Sequence, residues 1–450
     1  MNERSSFTGK LGFVLAAAGS AVGLGNIWRF PYLAAQYGGG IFLLVYLILA
    51  VTFGFTLMTA EIAIGRKTGL SAIGAFGKLK EKYNFIGYLA SIVPIIILPY
   101  YCVIGGWVTK YLVTFMTGGG KLAAGDEFFG GFIGQPAQPL LWFAIFLGLT
   151  ALVVLLGVEK GIEKVSKIMM PVLVVLSIVI AGYSITRPGA MAGVKYYLVP
   201  NFSDFSFKTV LAALGQLFYS MSLAMGIMIT YGSYMKKDVN LESSVRQIEI
   251  FDTAIAFLAG LMIIPSVFVF SGGNQEALGK GPGLMFVTLP KVFESMPGGT
   301  IIGILFFVLV LFAALTSSIS LMETIVSIFQ DKLKLSRVKA CLAVLLLSVI
   351  LGVPSSLGNG IWANIKIIGM DFLTFFDFAS NSVLMPIVAF FTCLFIGHVV
   401  KPETVTEEVE LTGKFKGKKL FLVMVKYIAP ICIILILISS VLEGFGLLKI

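Results

Sequence analysis

The sequence predicts an all-α polytopic membrane protein, and three observations carry that reading. Of its 450 residues, 58% are hydrophobic and only 12% are charged, about half the charge of a soluble domain. Apolar runs of the roughly 20 residues that a spanning helix needs recur from Leu11 to the C-terminus. Lysines and arginines gather in every second connecting segment. The whole chain, 1–450, therefore reads as a single transmembrane domain with no soluble domain attached.

Eleven spans are expected, near 11–37, 41–66, 87–116, 138–157, 163–186, 208–235, 247–272, 299–330, 338–355, 373–398 and 420–446. With the N-terminus inside, the inside loops carry Lys67, Lys78, Lys80 and Lys82, then Lys160, Lys164 and Lys167. Lys236, Lys237 and Arg246 follow, then Lys332, Lys334, Arg337 and Lys339, and finally Lys401 and Lys414 to Lys419. Outside loops hold isolated charges such as Lys121, Lys195 and Lys280. Positive charge marks cytoplasmic loops, so the N-terminus is placed inside and, with an odd count, the C-terminus outside. The same rule absorbs the net charge of +10, and a nucleic-acid partner is not expected. The polar stretch Met1–Lys10 and the long apolar run after it do not read as a signal peptide. The loop from Ser271 to Pro297 caps an external vestibule or merely connects.

Cys102, Cys341, Cys393 and Cys432 lie in apolar stretches and read as small core residues. A lone histidine, His398, excludes a histidine-based metal site. No nucleotide-binding loop is present, because Gly23-Leu24-Gly25 is followed by no third glycine. No organic cofactor and no enzymatic activity are expected.

Polar groups at membrane depth are costly and usually functional. Span one carries Gly19-Ser20-Ala21-Val22-Gly23-Leu24-Gly25-Asn26-Ile27-Trp28-Arg29-Phe30-Pro31. Glycine weakens a helix and proline removes a donor, so this span reads as interrupted. Close helix packing would explain the glycines but not Asn26 or Arg29. Span six holds Gln216, Ser220 and Ser222. Spans one and six occupy corresponding places in two five-span halves, and such a pair of broken helices points to a transporter site. Thr316, Ser317 and Ser318 in span eight suit a hard cation that takes oxygen ligands, though hydroxyls are common in spans. Glu61, Asp252 and Glu323 are carboxylates in or near the membrane, and Tyr100 and Tyr101 sit at mid-depth in span three. A channel would need a continuous polar pore, whereas these groups cluster near one depth.

The run Gly23-Leu24-Gly25-Asn26-Ile27-Trp28-Arg29-Phe30-Pro31 resembles the first-helix signature of the neurotransmitter:sodium symporters. The likeness continues through Gly38-Gly39-Gly40, Tyr100-Tyr101, Gly215-Gln216, Ile229-Thr230-Tyr231 and Leu315-Thr316-Ser317-Ser318, and eleven spans look like the bacterial branch. The resemblance implies a leucine-transporter-type fold, with two inverted five-helix repeats near 11–186 and 208–398 and an extra helix near 420–446. It implies a secondary active symporter in the bacterial inner membrane, multi-pass, as a monomer or weak homodimer. Two sodium ions are implied. The first would use Ala21, Asn26, Ser220 and Asp252; the second Gly19, Val22, Ala313, Thr316 and Ser317.

The implied substrate is an L-amino acid. It would be held by Ala21, Leu24, Gly25, Tyr101, Ser220, Ser222 and Ser317. Ile97, Ile104, Tyr219, Met225 and Leu321 would favour a hydrophobic or aromatic side chain. Monoamine-carrying relatives have an aspartate where this chain has Gly23, so the substrate is expected to bring its own carboxylate. Chloride-dependent relatives have Asn at the position of Asp252 and Ser at that of Ala256, so Asp252 is expected to substitute for chloride. The outer gate would pair Arg29 with Asp377 or its rival Asp371, and the inner gate Arg4 with Asp331 beside Tyr234. Gly161 and Pro171 resemble a Gly-X9-Pro motif tied to unwinding of helix five. Ala224 stands where many members carry glycine, and Ser20 replaces a frequent asparagine.

Overall fold

The computed structural model describes residues 6–272 and 282–447. Arg4, expected at the inner gate, lies outside the described residues. Among the described residues nine unbroken helices are long and apolar enough to cross a membrane. In chain order they are Gly40–Thr68, Glu81–Met116, Ala137–Leu155, Val158–Ile185, Leu241–Ser271, Gly299–Leu333, Arg337–Leu357, Phe372–Val399 and Lys418–Gly444. Ahead of them comes a bent pair, Lys10–Ala21 and Gly25–Gln36, with 53° between its halves. A second broken passage, Phe207–Ser220 and Ile227–Ser233, lies between Val158–Ile185 and Leu241–Ser271. Taken in order these are spans one to eleven, with spans one and six interrupted.

Several helices start earlier than apolar runs alone suggest. Span three begins at Glu81, span five at Val158 and span seven at Leu241. Their polar ends, with Lys82, Glu159 and Glu242, continue the helix beyond the hydrocarbon-matched stretch.

The interrupted spans sit at the centre. Every residue from Gly12 to Ala21 is buried. Spans five, nine and eleven lie outside and expose rows of large apolar side chains, such as Val175, Ile178, Leu342, Leu346, Ile431 and Ile438. Lipid is the solvent for such rows, while backbone can leave the helix only where protein surrounds it. Spans two and six cross at contact distance. A Cβ on Gly65 would stand 1.9 Å from the Ile229 carbonyl oxygen, and one on Gly232 would stand 2.4 Å from that of Ile62. Only glycine permits that approach.

Beyond spans ten and two, the short helix Glu403–Glu410 closes the lysine-rich face. Arg66 of span two donates from Nε to Glu408 at 2.8 Å and from a terminal nitrogen to the Val239 carbonyl at 2.7 Å. Glu242 accepts the Lys416 and Gly417 amides at 2.8 and 3.1 Å.

Candidate functional site

The two breaks face each other. Span one leaves the helix at Val22 (ψ 96°) and resumes at Gly25. Span six leaves it after Ser220; Ser222, Ala224 and Gly226 then take φ values of 53°, 60° and 73° before Ile227 restarts it. Left-handed backbone is costly for a residue with a Cβ, so two such residues in one break must be held by their surroundings. Two bonds do so. Glu61 accepts the Ala224 amide at 2.7 Å, and Ser222 Oγ donates to the Ser20 carbonyl at 2.9 Å. Gln216 Nε2 donates to the Gly25 carbonyl at 3.0 Å and so ties the second half of span one to span six.

Between the breaks lies a small cavity of about 30 Å³. Ala21, Gly23, Leu24 and Gly25 line one side and Tyr219, Ser220, Ser222 and Met225 the other. Ile97, Tyr101, Ser317 and Leu321 complete it. The Leu24 amide donates to the Tyr101 hydroxyl at 3.3 Å. A Cβ on Gly23 would come within 2.7 Å of Ser317 Oγ, so glycine keeps this corner open. The open volume holds only a few waters, and a larger guest requires Met225 or Leu321 to move. Ile104 does not join this group. It lies about two turns from Ile97 along span three and lines the wider cavity above.

Asp252 gathers the first set of oxygens. It accepts Asn26 Nδ2 at 2.8 Å, Ser220 Oγ at 2.7 Å and the Tyr46 hydroxyl at 3.1 Å, all fully or almost fully buried. Two of these partners, Asn26 and Ser220, also line the cavity between the breaks. The second set converges where span eight meets the break in span one. Ser317 Oγ stands 3.5 Å from the Gly19 carbonyl oxygen and 3.4 Å from that of Val22. Thr316 Oγ1 stands 3.1 Å from the Ala313 carbonyl, and a Cβ on Gly19 would lie 3.1 Å from Thr316 Cβ. Neutral oxygens at this spacing suit a small hard cation.

A wider cavity of about 560 Å³ opens on the other side of Tyr219, whose ring borders both spaces. Arg29 and Asp377 face it, with no ion pair between them among the described residues; the Arg29 guanidinium lies 5.4 Å from the Tyr219 ring centroid. Asp377 accepts the Tyr100 hydroxyl at 3.2 Å and Asn381 Nδ2 at 2.6 Å. Asp371 is engaged otherwise: it caps its own helix, accepting the Thr374 amide at 3.0 Å. Pro282 and Gly283, from the described end of the Ser271–Pro297 segment, also border the cavity.

At the opposite, lysine-rich face, Asp331 accepts the Ser71 amide at 2.7 Å. Tyr234 donates to Glu323 at 2.8 Å, and Arg337 pairs with Glu323 at 2.5 Å. Sequence reasoning noted Glu323 without a role and missed Arg337 as its partner. It also missed Glu163, which binds Thr8, and Ser320, which donates to Ser20 Oγ at 2.7 Å. A buried charge in a span was the available signal for Glu323 and Glu163. Nothing marked Ser320.

A pair of broken helices around a site lined by backbone and neutral oxygens defines the architecture of a secondary transporter. Sequence comparison makes the class specific: the chain belongs to the sodium:neurotransmitter symporter family, whose family model matches residues 4–123 and 132–446. It is 38% identical over 440 residues to the uncharacterized sodium-dependent transporter YhdH of Bacillus subtilis, covering 96% of each chain. It is 27% identical to the sodium- and chloride-dependent taurine transporter of Rattus norvegicus, across 91% of this chain and 73% of that one. Among solved structures, MhsT in complex with L-phenylalanine superposes with a TM-score of 0.88 at 40% identity, covering 97% of this chain and 100% of that one. The protein is therefore a multi-pass, sodium-coupled symporter of leucine-transporter-type fold and not an enzyme.

Proposed function

We propose that this symporter couples inward sodium movement to uptake of a hydrophobic or aromatic L-amino acid by alternating access, using two sodium ions and no chloride. The observation that carries the reading is the cavity between the breaks, lined by polar residues such as Asn26, Tyr101 and Ser220 and by apolar ones such as Ile97, Met225 and Leu321. Gly25 and Tyr101 line it together with Ala21, Asn26 and Ser220, and there a substrate carboxylate completes the first sodium shell. Ile97, Met225 and Leu321 receive the side chain. The likeness to MhsT with L-phenylalanine supports the apolar half of the reading.

The first sodium takes Ala21, Asn26, Ser220 and Asp252; the second takes Gly19, Val22, Ala313, Thr316 and Ser317. Asp252 supplies the negative charge beside the first sodium, where Ala256 offers no hydroxyl to an anion. Arg29 and Asp377 close the outer side over Tyr219. The two five-span halves are inverted repeats in the bacterial inner membrane, with the lysine-rich face in the cytoplasm, the N-terminus inside and the C-terminus outside. The chain acts as a monomer or weak homodimer.

Uptake of labelled L-phenylalanine into proteoliposomes tests the proposal. A sodium gradient should drive uphill uptake, choline should abolish it, and gluconate in place of chloride should leave it unchanged. Asn26→Ala and Thr316→Ala should each raise the sodium needed for half-maximal uptake. Loss of uptake in gluconate would refute the role given to Asp252. Equal affinity for phenethylamine would refute recognition of the carboxylate.

A further inference from the structure

Ser20 stands where four hydroxyls meet. Ser320 Oγ lies 2.7 Å from Ser20 Oγ and 2.8 Å from the Ser317 carbonyl oxygen, so its one hydrogen has two acceptors, and Ser20 Oγ donates to Ser222 Oγ at 3.1 Å. Ser222 Oγ returns its hydrogen to the Ser20 carbonyl at 2.9 Å, and Ser317 Oγ donates to that same carbonyl at 3.1 Å. Ser20 is 3% exposed and Ser320 fully buried, so no bulk water competes for these bonds. One residue thus joins the break of span one to the break of span six and to two turns of span eight.

The arrangement matters for cation binding because a hydroxyl ligand must present a lone pair to the ion. Its hydrogen then needs another acceptor. Three carbonyls of span one surround Ser317 Oγ, and that of Ser20, at 3.1 Å, is nearer than those of Val22 at 3.4 Å and Gly19 at 3.5 Å. Placing the hydrogen on Ser20 leaves the Gly19 and Val22 carbonyls free to face a cation. We propose that Ser20 is a positioning residue of sodium binding: anchored to span eight through Ser320 and to span six through Ser222, its carbonyl takes the hydroxyl hydrogen of Ser317 and so turns that oxygen toward the site. The inference rests on the second sodium site proposed above. Alanine at position 20 keeps the carbonyl but loses the anchor. The break can then shift relative to span eight, and the Ser317 hydrogen loses its best acceptor.

Thermal melting of the purified full chain in detergent, without substrate, reads this out. Sodium chloride is titrated against choline chloride at constant ionic strength. Ser20→Ala and Ser320→Ala should each raise the half-maximal sodium concentration about fivefold, the scale of one buried hydrogen bond. The double variant should be no worse than either single variant, because both remove one chain of bonds. Ser320→Thr, which keeps the hydroxyl, should restore the wild-type midpoint. A lower melting temperature in choline with an unchanged sodium midpoint would make the cluster merely structural and overturn the inference. Multiplying effects in the double variant would also overturn it, since the two serines would then act separately. A wild-type melting temperature indifferent to sodium would sink the sodium-site reading itself. A sodium response lost in Thr316→Ala yet unmoved in Ser20→Ala would spare that reading and refute this one.

Discussion

Glu163, at the start of span five, binds Thr8 twice: its carboxylate accepts the Thr8 amide at 2.8 Å and also the Thr8 hydroxyl. The contact joins the N-terminal segment to the π-helical turn Val158–Glu163. It is tight on every side. Glu163 is 1% exposed in a chain where Lys167 pairs with it at 2.6 Å, and a Cβ on Gly12 would fall 2.2 Å from its Oε1. The segment leading into the first helix therefore cannot leave the fifth without breaking a charged, part-buried set of bonds.

Removing that carboxylate should loosen both partners at once. Hydrogen bonds to charged groups contribute roughly 1.5–3 kcal/mol, so Glu163→Ala should raise local opening by at least tenfold. Amide hydrogen exchange over residues 8–12 and 158–166 is the measurement. Faster exchange in only one of the two segments would show that Glu163 does not couple them.

The left-handed Ala224 gives a second expectation. At φ 60° it carries a strain that glycine would not, of roughly 1–2 kcal/mol. Glycine also gains more freedom when unfolded, which offsets part of the relief. Ala224→Gly should therefore raise the melting temperature modestly, while Ala224→Val should lower it by several degrees. If valine were tolerated without loss, the Glu61 contact to the Ala224 amide would not be holding the break in this geometry.

How much of this was readable beforehand follows from what each feature depends on. The spans were legible because hydrophobic length is a local property. Asn26, Arg29 and Asp252 were legible because a polar group at membrane depth stands out residue by residue. The contacts that tie the breaks down were not. Ser320 meets Ser20 across 300 positions and Glu163 meets Thr8 across 155, and serine or glutamate at such places is ambiguous alone. Ile104 shows the limit from the other side. Its apolar character suited the cavity between the breaks, but rise along span three carries it into the wider one.

Arg66 and Glu408 supply a third expectation. Arg66 is fully buried at its side chain and Glu408 nearly so, and Lys237 approaches the same carboxylate at 2.6 Å. Breaking a buried pair from one side leaves an uncompensated charge and costs roughly 3–5 kcal/mol. Arg66→Ala should therefore lower the melting temperature strongly. Lys237 keeps part of the balance, so Glu408→Ala, which strands Arg66, should be at least as damaging. Combining the two should cost less than the sum, because neither charge is then left alone. Additive losses in thermal melts of the double variant would mean that the pair is not coupled.

The last expectation concerns how the lysine-rich side opens. Span five begins in a π-helical turn and carries Pro171 within its helix. Pro171 cannot donate to the preceding turn, which leaves that turn short of one bond. Gly161 is fixed for a different reason. A Cβ there would lie 2.1 Å from the Val153 carbonyl oxygen, so the loop and helix meet where no larger residue fits. Pro171 thus removes one helical bond within span five, and Glu163 ties the first turn of the span to Thr8. Met170, next to Pro171, places its sulfur 3.3 Å from where a Gly19 Cβ would stand, so this stretch also packs against the second set of oxygens. If these turns unwind, water gains access to Thr316 and Ser317, and sodium can leave inward. Pro171→Ala restores the missing donor and should hold the helix wound. Transport should slow severalfold, while sodium-dependent binding at equilibrium stays near wild type, because no proposed ligand has changed. The measurement sets initial uptake rates in proteoliposomes beside substrate binding in detergent for the same variant. Wild-type turnover in Pro171→Ala would show that the proline shapes the helix without governing release.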